Sequence, residues 1–266
     1  MPLSQLFKDL EEKEWVDIPQ GWLQGRTIFG GLATAMMLHK SIFVVDDPLK
    51  RLLTVSVTFV APIQEKPVKV SVEILRQGKS VTSLEARVWQ DNQVMSIMLV
   101  SFGSERESEL QVHQQRNAPQ YPYPEQLKIL PYHSLSLMPQ CYQNFDLAWA
   151  EGGYPCTASP DADFGGWFRF TEKFFKQGKM STAEFLALLD IWPAGAFTVL
   201  KTPAPGSSLS WYVTLLDEID FQRLDWFKYK VFTDYAENGY ATEYAHIWDA
   251  NDRLIAISRQ TVTIFA

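Results

Sequence analysis

Residues 29–43, Phe29-Gly-Gly-Leu-Ala-Thr-Ala-Met-Met-Leu-His-Lys-Ser-Ile-Phe43, put Phe29, Leu32, Ala33, Met36, Met37 and Phe43 on helical spacing. The run is apolar nearly all round, so the spacing predicts one buried helix. Four runs rich in β-branched residues follow it, at about 51–61, 67–76, 80–90 and 93–102, separated by breaks containing Pro or Gly. They read as an antiparallel meander. A second helical run, Ser181-Thr-Ala-Glu-Phe-Leu-Ala-Leu-Leu-Asp-Ile-Trp192, opens with a Ser or Thr cap ahead of Glu184 and stops at Pro193 and Gly195. Four strand-like runs again follow, at about 208–217, 226–235, 240–249 and 254–265. The chain is therefore an approximate internal repeat.

Individual residues match across it. Thr54-Val-Ser-Val-Thr-Phe59 falls on Ser210-Trp-Tyr-Val-Thr-Leu215, and Ala86-Arg-Val-Trp89 on Ala245-His-Ile-Trp248. The turns Gln77-Gly-Lys79 and Asp91-Asn92 answer to Glu237-Asn-Gly239 and Ala250-Asn-Asp252. A charged, Gln-rich and then Pro- and Tyr-punctuated stretch separates the halves, which divides the chain into 1–110, a linker at 111–134, and 135–266. The expected class is α+β, each half a central helix wrapped by a curved antiparallel sheet. Two such sheets joined edge to edge would shield two strand edges and leave a helix-to-helix seam for an apolar ligand. A two-domain β-sandwich or barrel with incidental helices is the rival architecture.

Composition limits the function. Of 266 residues 46% are apolar and 21% charged, with 24 Lys+Arg against 31 Asp+Glu and a formal charge of −7. That excludes fibrous and disordered classes. With no long basic cluster, it also argues against a nucleic-acid or anionic-membrane surface, which needs a dense positive field. Met1 to Trp15 carries charges where a signal peptide needs an apolar run, and no stretch is long and apolar enough to span a bilayer, so a cytoplasmic protein is expected. Cys141 and Cys156 have no metal-ligand or CxxC spacing and read as reduced packing thiols, with a disulfide between them the alternative.

Several chemistries lack their residues. The chain contains no G-x-S-x-G, H-E-x-x-H, P-loop or G-x-G-x-x-G. His39, His113, His133 and His246 share no ligand spacing, so no metal is expected; His39 reads as a capping or half-exposed histidine near a helix end. What remains is chemistry by carboxylates, amides and backbone dipoles. Asp190 stands out, in Phe185-Leu-Ala-Leu-Leu-Asp-Ile-Trp192, with apolar neighbours on every side. A carboxyl buried in the last turn of a helix meets both desolvation and the negative end of the dipole, which favours the protonated form and makes a base that works near neutrality. The alternative is that Asp190 bonds loop amides around Pro193-Ala-Gly195.

Five segments in order carry a family likeness: the helix beginning Phe29-Gly30-Gly31, the turn Arg76-Gln-Gly-Lys79-Ser80, Gly165-Gly-Trp-Phe-Arg169, Leu188-Leu-Asp190-x-x-Pro193, and the last strand with Gln260. With these the chain resembles acyl-CoA thioesterase II, the TesB-type double-hotdog proteins, over nearly its whole length. The resemblance implies a tandem hotdog fold that hydrolyses acyl-CoA to free fatty acid and CoA. In that family an Asp on the second helix, a Thr or Ser on the next strand and a Gln on the last strand hold and activate a water. Asp190 and Gln260 match the first and third, and Ser208 falls on the second. Here the sequence departs from the family: the Asp-His pair that follows is Ser210-Trp211.

The implied reaction needs no cofactor, CoA being part of the substrate. The N-terminus of the first helix, around Gly30, Gly31 and Leu32, is the expected oxyanion donor. Arg76 and Lys79 are the candidates for the CoA phosphates, and Met36, Met37 and Trp192 for the acyl seam. A homodimer or higher homo-oligomer is expected. A hotdog dehydratase would need a helical His with a carboxylate partner, which neither central helix supplies. A hotdog that binds acyl-CoA or another apolar ligand without cleaving it is the non-enzymatic alternative, prompted by Ser210-Trp211.

Overall fold

The computed structural model describes residues 3–112, 116–130 and 138–266. Parts of the expected linker, with His113 and His133, lie outside the described residues. The predicted buried helix is α2, Gly30–Val45 (α1, Leu3–Glu12, precedes it). A two-residue hairpin, β1 (Leu23–Gln24) and β2 (Thr27–Ile28), leads into α2. The first-half strands are β3 (Arg51–Phe59), β4 (Lys69–Gln77), β5 (Val81–Gln90) and β6 (Gln93–Gly103). After the linker come β7 (Phe145–Glu151), β8 (Phe164–Phe170) and α3 (Thr182–Leu189). The chain ends with β9 (Gly206–Leu215), β10 (Phe227–Glu237), β11 (Tyr240–Asp249) and β12 (Leu254–Ile264).

Among the described residues ten strands form one antiparallel sheet in the order β4-β5-β6-β3-β9-β12-β11-β10-β8-β7. The expected edge-to-edge joint is the β3–β9 ladder, from Thr54 opposite Thr214 to Thr58 opposite Ser210. The simple meander is corrected: β3 pairs with β6, and β9 with β12, so the first strand of each half crosses over to close its set of four. The repeat extends to defects in the ladders. β-Bulges at Leu53, Leu75 and Met95 recur at Leu209, Asp234 and Ile255, bending both halves of the sheet at equivalent places.

The sheet curls around α2 and α3, which pack on each other. This is the tandem hotdog. Helix α2 is buried from Gly31 to Leu38 and at Ser41, but its last turn departs from the expectation, with Ile42, Phe43 and Val44 exposed. Ser181 is the residue that caps α3: its Oγ accepts the Glu184 N–H while Glu184 Oε2 accepts the Ser181 N–H. Helix α1 buries Leu3, Leu6, Phe7 and Leu10 and lies on α2. The described part of the linker crosses the second half of the sheet, its Pro122 carbonyl accepting from Trp167 Nε1 at 2.9 Å.

Candidate active site

Asp190 is the C-cap of α3, just past the last turn in which the sequence placed it, with φ −83° and ψ 3°. Its own helix offers only carbonyl ends. The opposing helix supplies the compensation, because α2 starts beside it and the Gly31 N–H donates to the Asp190 carboxylate. The glycine pair makes this meeting possible. A Cβ on Gly30 would stand 2.8 Å from Asp190 Oδ2, and one on Gly31 would stand 2.8 Å from the Ala187 carbonyl of α3.

Gln260, on the inner face of β12, donates through Nε2 to Ser208 Oγ at 2.5 Å, and its amide also donates to Asp190. The three side chains the family pattern selected therefore form one connected, half-buried group. Strand irregularity aims the third. In a regular ladder Leu209 would stand opposite Val262 and Ser208 would turn to the outer face, but the bulge sets Ser208 opposite Val262, on the side of Gln260.

Burial is the main influence on Asp190 and pushes its pKa up to about 7, against the Gly31 and Gln260 donors that favour the charged form. The Cys141 thiol and the Tyr142 and Tyr229 hydroxyls lie within its electrostatic range; burial first, then neighbouring negative charge, drives each toward its protonated form. Cys141 and Cys156 are both free thiols.

A second carboxyl stands beside the group that sequence reasoning missed. Glu243 is 3% exposed, on the inner face of β11, directly between Thr233 on β10 and Gln260 on β12. Its Oε2 accepts the Gly195 N–H at 2.7 Å. The amide-bonding role weighed for Asp190 around Gly195 is thus filled by Glu243. Burial raises the Glu243 pKa to about 7; the Gly195 donor opposes this, and the charges of Asp190 and Asp163 add to it. Its inner-row neighbours along β11 are Ala241, Ala245 and Ile247, so one buried acid in an apolar row was the available signal.

Other expected residues are placed as follows. The Leu32 N–H is taken by the Phe29 carbonyl at 3.1 Å, and Gly30 opens α2 beside the Asp190 carboxylate. Arg76 and Lys79 are exposed beside the β4–β5 turn, where Lys50 at the other end of α2 holds the Gly78 carbonyl. Sixteen helical residues, about 24 Å at ~1.5 Å each, separate them from Gly30, so the fold does not bring them to Asp190. Met36 and Met37 are fully buried and Trp192 nearly so, stacked on Tyr229. The expected seam is packed core. One surface groove lies at the C-terminal end of α2, lined by Asp46, Lys50 and Asp217, and another lies between α1 and the start of α3; neither touches Asp190.

The remaining polar positions are structural. Trp211, in the place of the family histidine, is buried and donates to Ser258 Oγ at 2.8 Å, while Ser210 faces outward and exposed. His39 stacks on Phe7 at 4.3 Å and meets Glu11 at 2.8 Å, and burial lowers its pKa. Among the described residues no group of three His, Cys, Asp or Glu side chains could hold a metal ion, and no helix is long and apolar enough to cross a membrane.

Residues 18–103 match the acyl-CoA thioesterase N-terminal domain, and residues 116–264 match the acyl-CoA thioesterase C-terminal domain. No curated protein matches the chain. Among solved structures it is similar to a conserved protein of unknown function with a hot dog fold from Alicyclobacillus acidocaldarius, at 21% identity and TM-score 0.84, covering 95% of this chain and 92% of that one. It is also similar to a tesB protein of Mycobacterium avium subspecies paratuberculosis, at 18% identity and TM-score 0.72, with 100% of each chain covered. A third is the acyl-CoA thioesterase II TesB2 of Mycobacterium marinum, at 17% identity and TM-score 0.68, with 88% of each covered. These three likenesses are of fold.

Proposed function

The chain belongs to the acyl-CoA thioesterase family, and from that premise we propose that it hydrolyses acyl-CoA to a free acid and CoA by direct attack of water. The observation that carries this reading is the connected group of Asp190, Gln260 and Ser208 set against the start of α2. Asp190 accepts a proton from water as the oxygen attacks the thioester carbonyl. Gln260 and Ser208 hold that water in line. The negative charge that develops on the carbonyl oxygen falls to the Gly30 N–H and the positive end of α2; one such donor is worth roughly 3 kcal/mol in rate. Collapse of the tetrahedral adduct expels CoA as the thiolate, which takes back the proton from Asp190.

No cofactor takes part in this sequence of steps. The packing of Met36 and Met37 favours a short acyl group. The CoA arm would have to run the length of α2 for its phosphates to meet Arg76 and Lys79.

The test is free-thiol release from short, medium and long acyl-CoAs by wild type and Asp190→Asn. Turnover is expected on at least the short chains, falling at least about a hundredfold in the variant, the usual scale for losing a general base. Turnover unchanged in Asp190→Asn would overturn the mechanism. Thermal stabilisation by acyl-CoA without thiol release would favour the non-hydrolytic binding protein.

A further inference from the structure

Four inner-face positions run side by side across neighbouring strands: Thr233, Glu243, Gln260 and Trp211. Gln260 already reaches one way, toward Asp190 and Ser208. Glu243 on its other side has one oxygen on the Gly195 N–H, and Thr233 Oγ1 beside it is buried without a hydrogen-bond partner in the described structure. Gly195 belongs to the loop that leaves Asp190, so one carboxyl both ties that loop to the sheet and flanks the glutamine. We infer that Glu243 is a positioning residue for this site: its carboxyl anchors the Asp190 loop through Gly195 and flanks Gln260, so that the site works with one negative charge, on Asp190.

The inference rests on the hydrolase reading above for its consequence in rate, and on burial and neighbouring charge for its charge state. Every titratable group that acts on Glu243 disfavours a second charge. Asp190 faces it from the end of α3 and Asp163 from the segment before β8, both acidic; Tyr229 on β10 is within range and neutral. Gln260 and Thr233 flank it uncharged, and none of these groups is cationic. The Asp190 charge pushes Glu243 up, while Gly31 and Gln260 favour the charged form of Asp190, so the first proton leaves Asp190 and Glu243 keeps its own longer. A second negative charge would stand beside the developing oxyanion and oppose it.

The experiment compares kcat/KM against pH for wild type, Glu243→Gln and Glu243→Ala on one acyl-CoA, with infrared titration of the buried carboxyls in wild type, Glu243→Gln and Asp190→Asn. Wild type is expected to give a bell, its acidic limb from Asp190 and its alkaline limb from Glu243, falling tenfold per pH unit beyond each. Glu243→Gln, which still offers an oxygen to Gly195, keeps the acidic limb and loses the alkaline one. Glu243→Ala loses the anchor and falls about tenfold or more at every pH. An alkaline limb unchanged in Glu243→Gln overturns the inference. The infrared arm stands apart from turnover: the Glu243 carboxyl in Asp190→Asn should release its proton at lower pH than in wild type, because a neighbouring charge has gone. An equal titration in the two proteins overturns the pairing. Absence of thiol release from wild type would instead sink the hydrolase reading and leave the infrared result to decide the charge.

Discussion

Asp190 has its raised proton affinity because it is buried, and that burial has a thermodynamic consequence the reaction does not need. Its folded pKa is about 7 against an ordinary value of 3.8. Between those values the folded protein retains a proton that the unfolded chain has released, so stability present at low pH is lost as pH rises through the window and levels off above 7. Asparagine in its place carries no charge to bury. Asp190→Asn is therefore expected to match wild type in urea unfolding at pH 4 and to exceed it at pH 8 by about 1–3 kcal/mol, the partly open site reducing the full effect. An equal difference at both pH values would mean that the carboxyl is solvated. The same residue then loses turnover while gaining stability, the pattern expected where function holds a group in an unfavourable place.

At the scale of elements the site is a contact between two helix ends, and the Gly30-Gly31 pair sets its closeness. The two glycines have different neighbours and predict different failures. A methyl on Gly31 meets the α3 backbone at Ala187, which cannot swing aside, so Gly31→Ala should separate the helices and cost about 1–3 kcal/mol of stability. A methyl on Gly30 meets the Asp190 carboxylate and the Phe59 ring, both side chains able to move. Gly30→Ala should keep most of its stability and lose about tenfold or more in kcat, because the base is displaced. Thermal melts beside thiol-release kinetics separate the two outcomes, and a shared profile would count against the assignment. Much of this was legible in sequence. Helix α2, the eight repeated strands and Asp190 all announce themselves through period or discord. Strands β7 and β8 did not, because Asp146-Leu-Ala-Trp-Ala-Glu151 has helix-forming letters and Gly165-Gly166 weakens the strand pattern. Helix α1 was read for its charges, and the spacing of Leu3, Leu6, Phe7 and Leu10 passed unused. Glu243 was hidden for a different reason. In an alternating strand a polar residue is ordinarily on the wet face, and the apolar row of Ala241, Ala245 and Ile247 was the one hint that Glu243 lies inside, which the register with Thr233 and Gln260 makes plain.

The whole molecule is two copies of one plan that have given up their independence. The β3–β9 ladder makes a single sheet of the two halves, α2 packs on α3, and one apolar core runs from Leu3 through Met36 and Phe185 to Ala256. Residues 1–110 alone would expose the β3 edge at Thr54 to Thr58 and the face of α2 that meets α3; residues 135–266 alone would expose the matching edge of β9. Neither half has a core closed without the other. Urea unfolding is therefore expected to be one cooperative transition, although the chain is long enough for its halves to part. Trp22 and Trp89 report on the first half, and Trp192 and Trp248 on the second. Fluorescence of variants keeping tryptophan in one half only should give the same midpoint as far-UV circular dichroism. Two separated midpoints would show that the β3–β9 joint opens before either core, and that the Asp190 site, built across α2 and α3, is lost ahead of global unfolding.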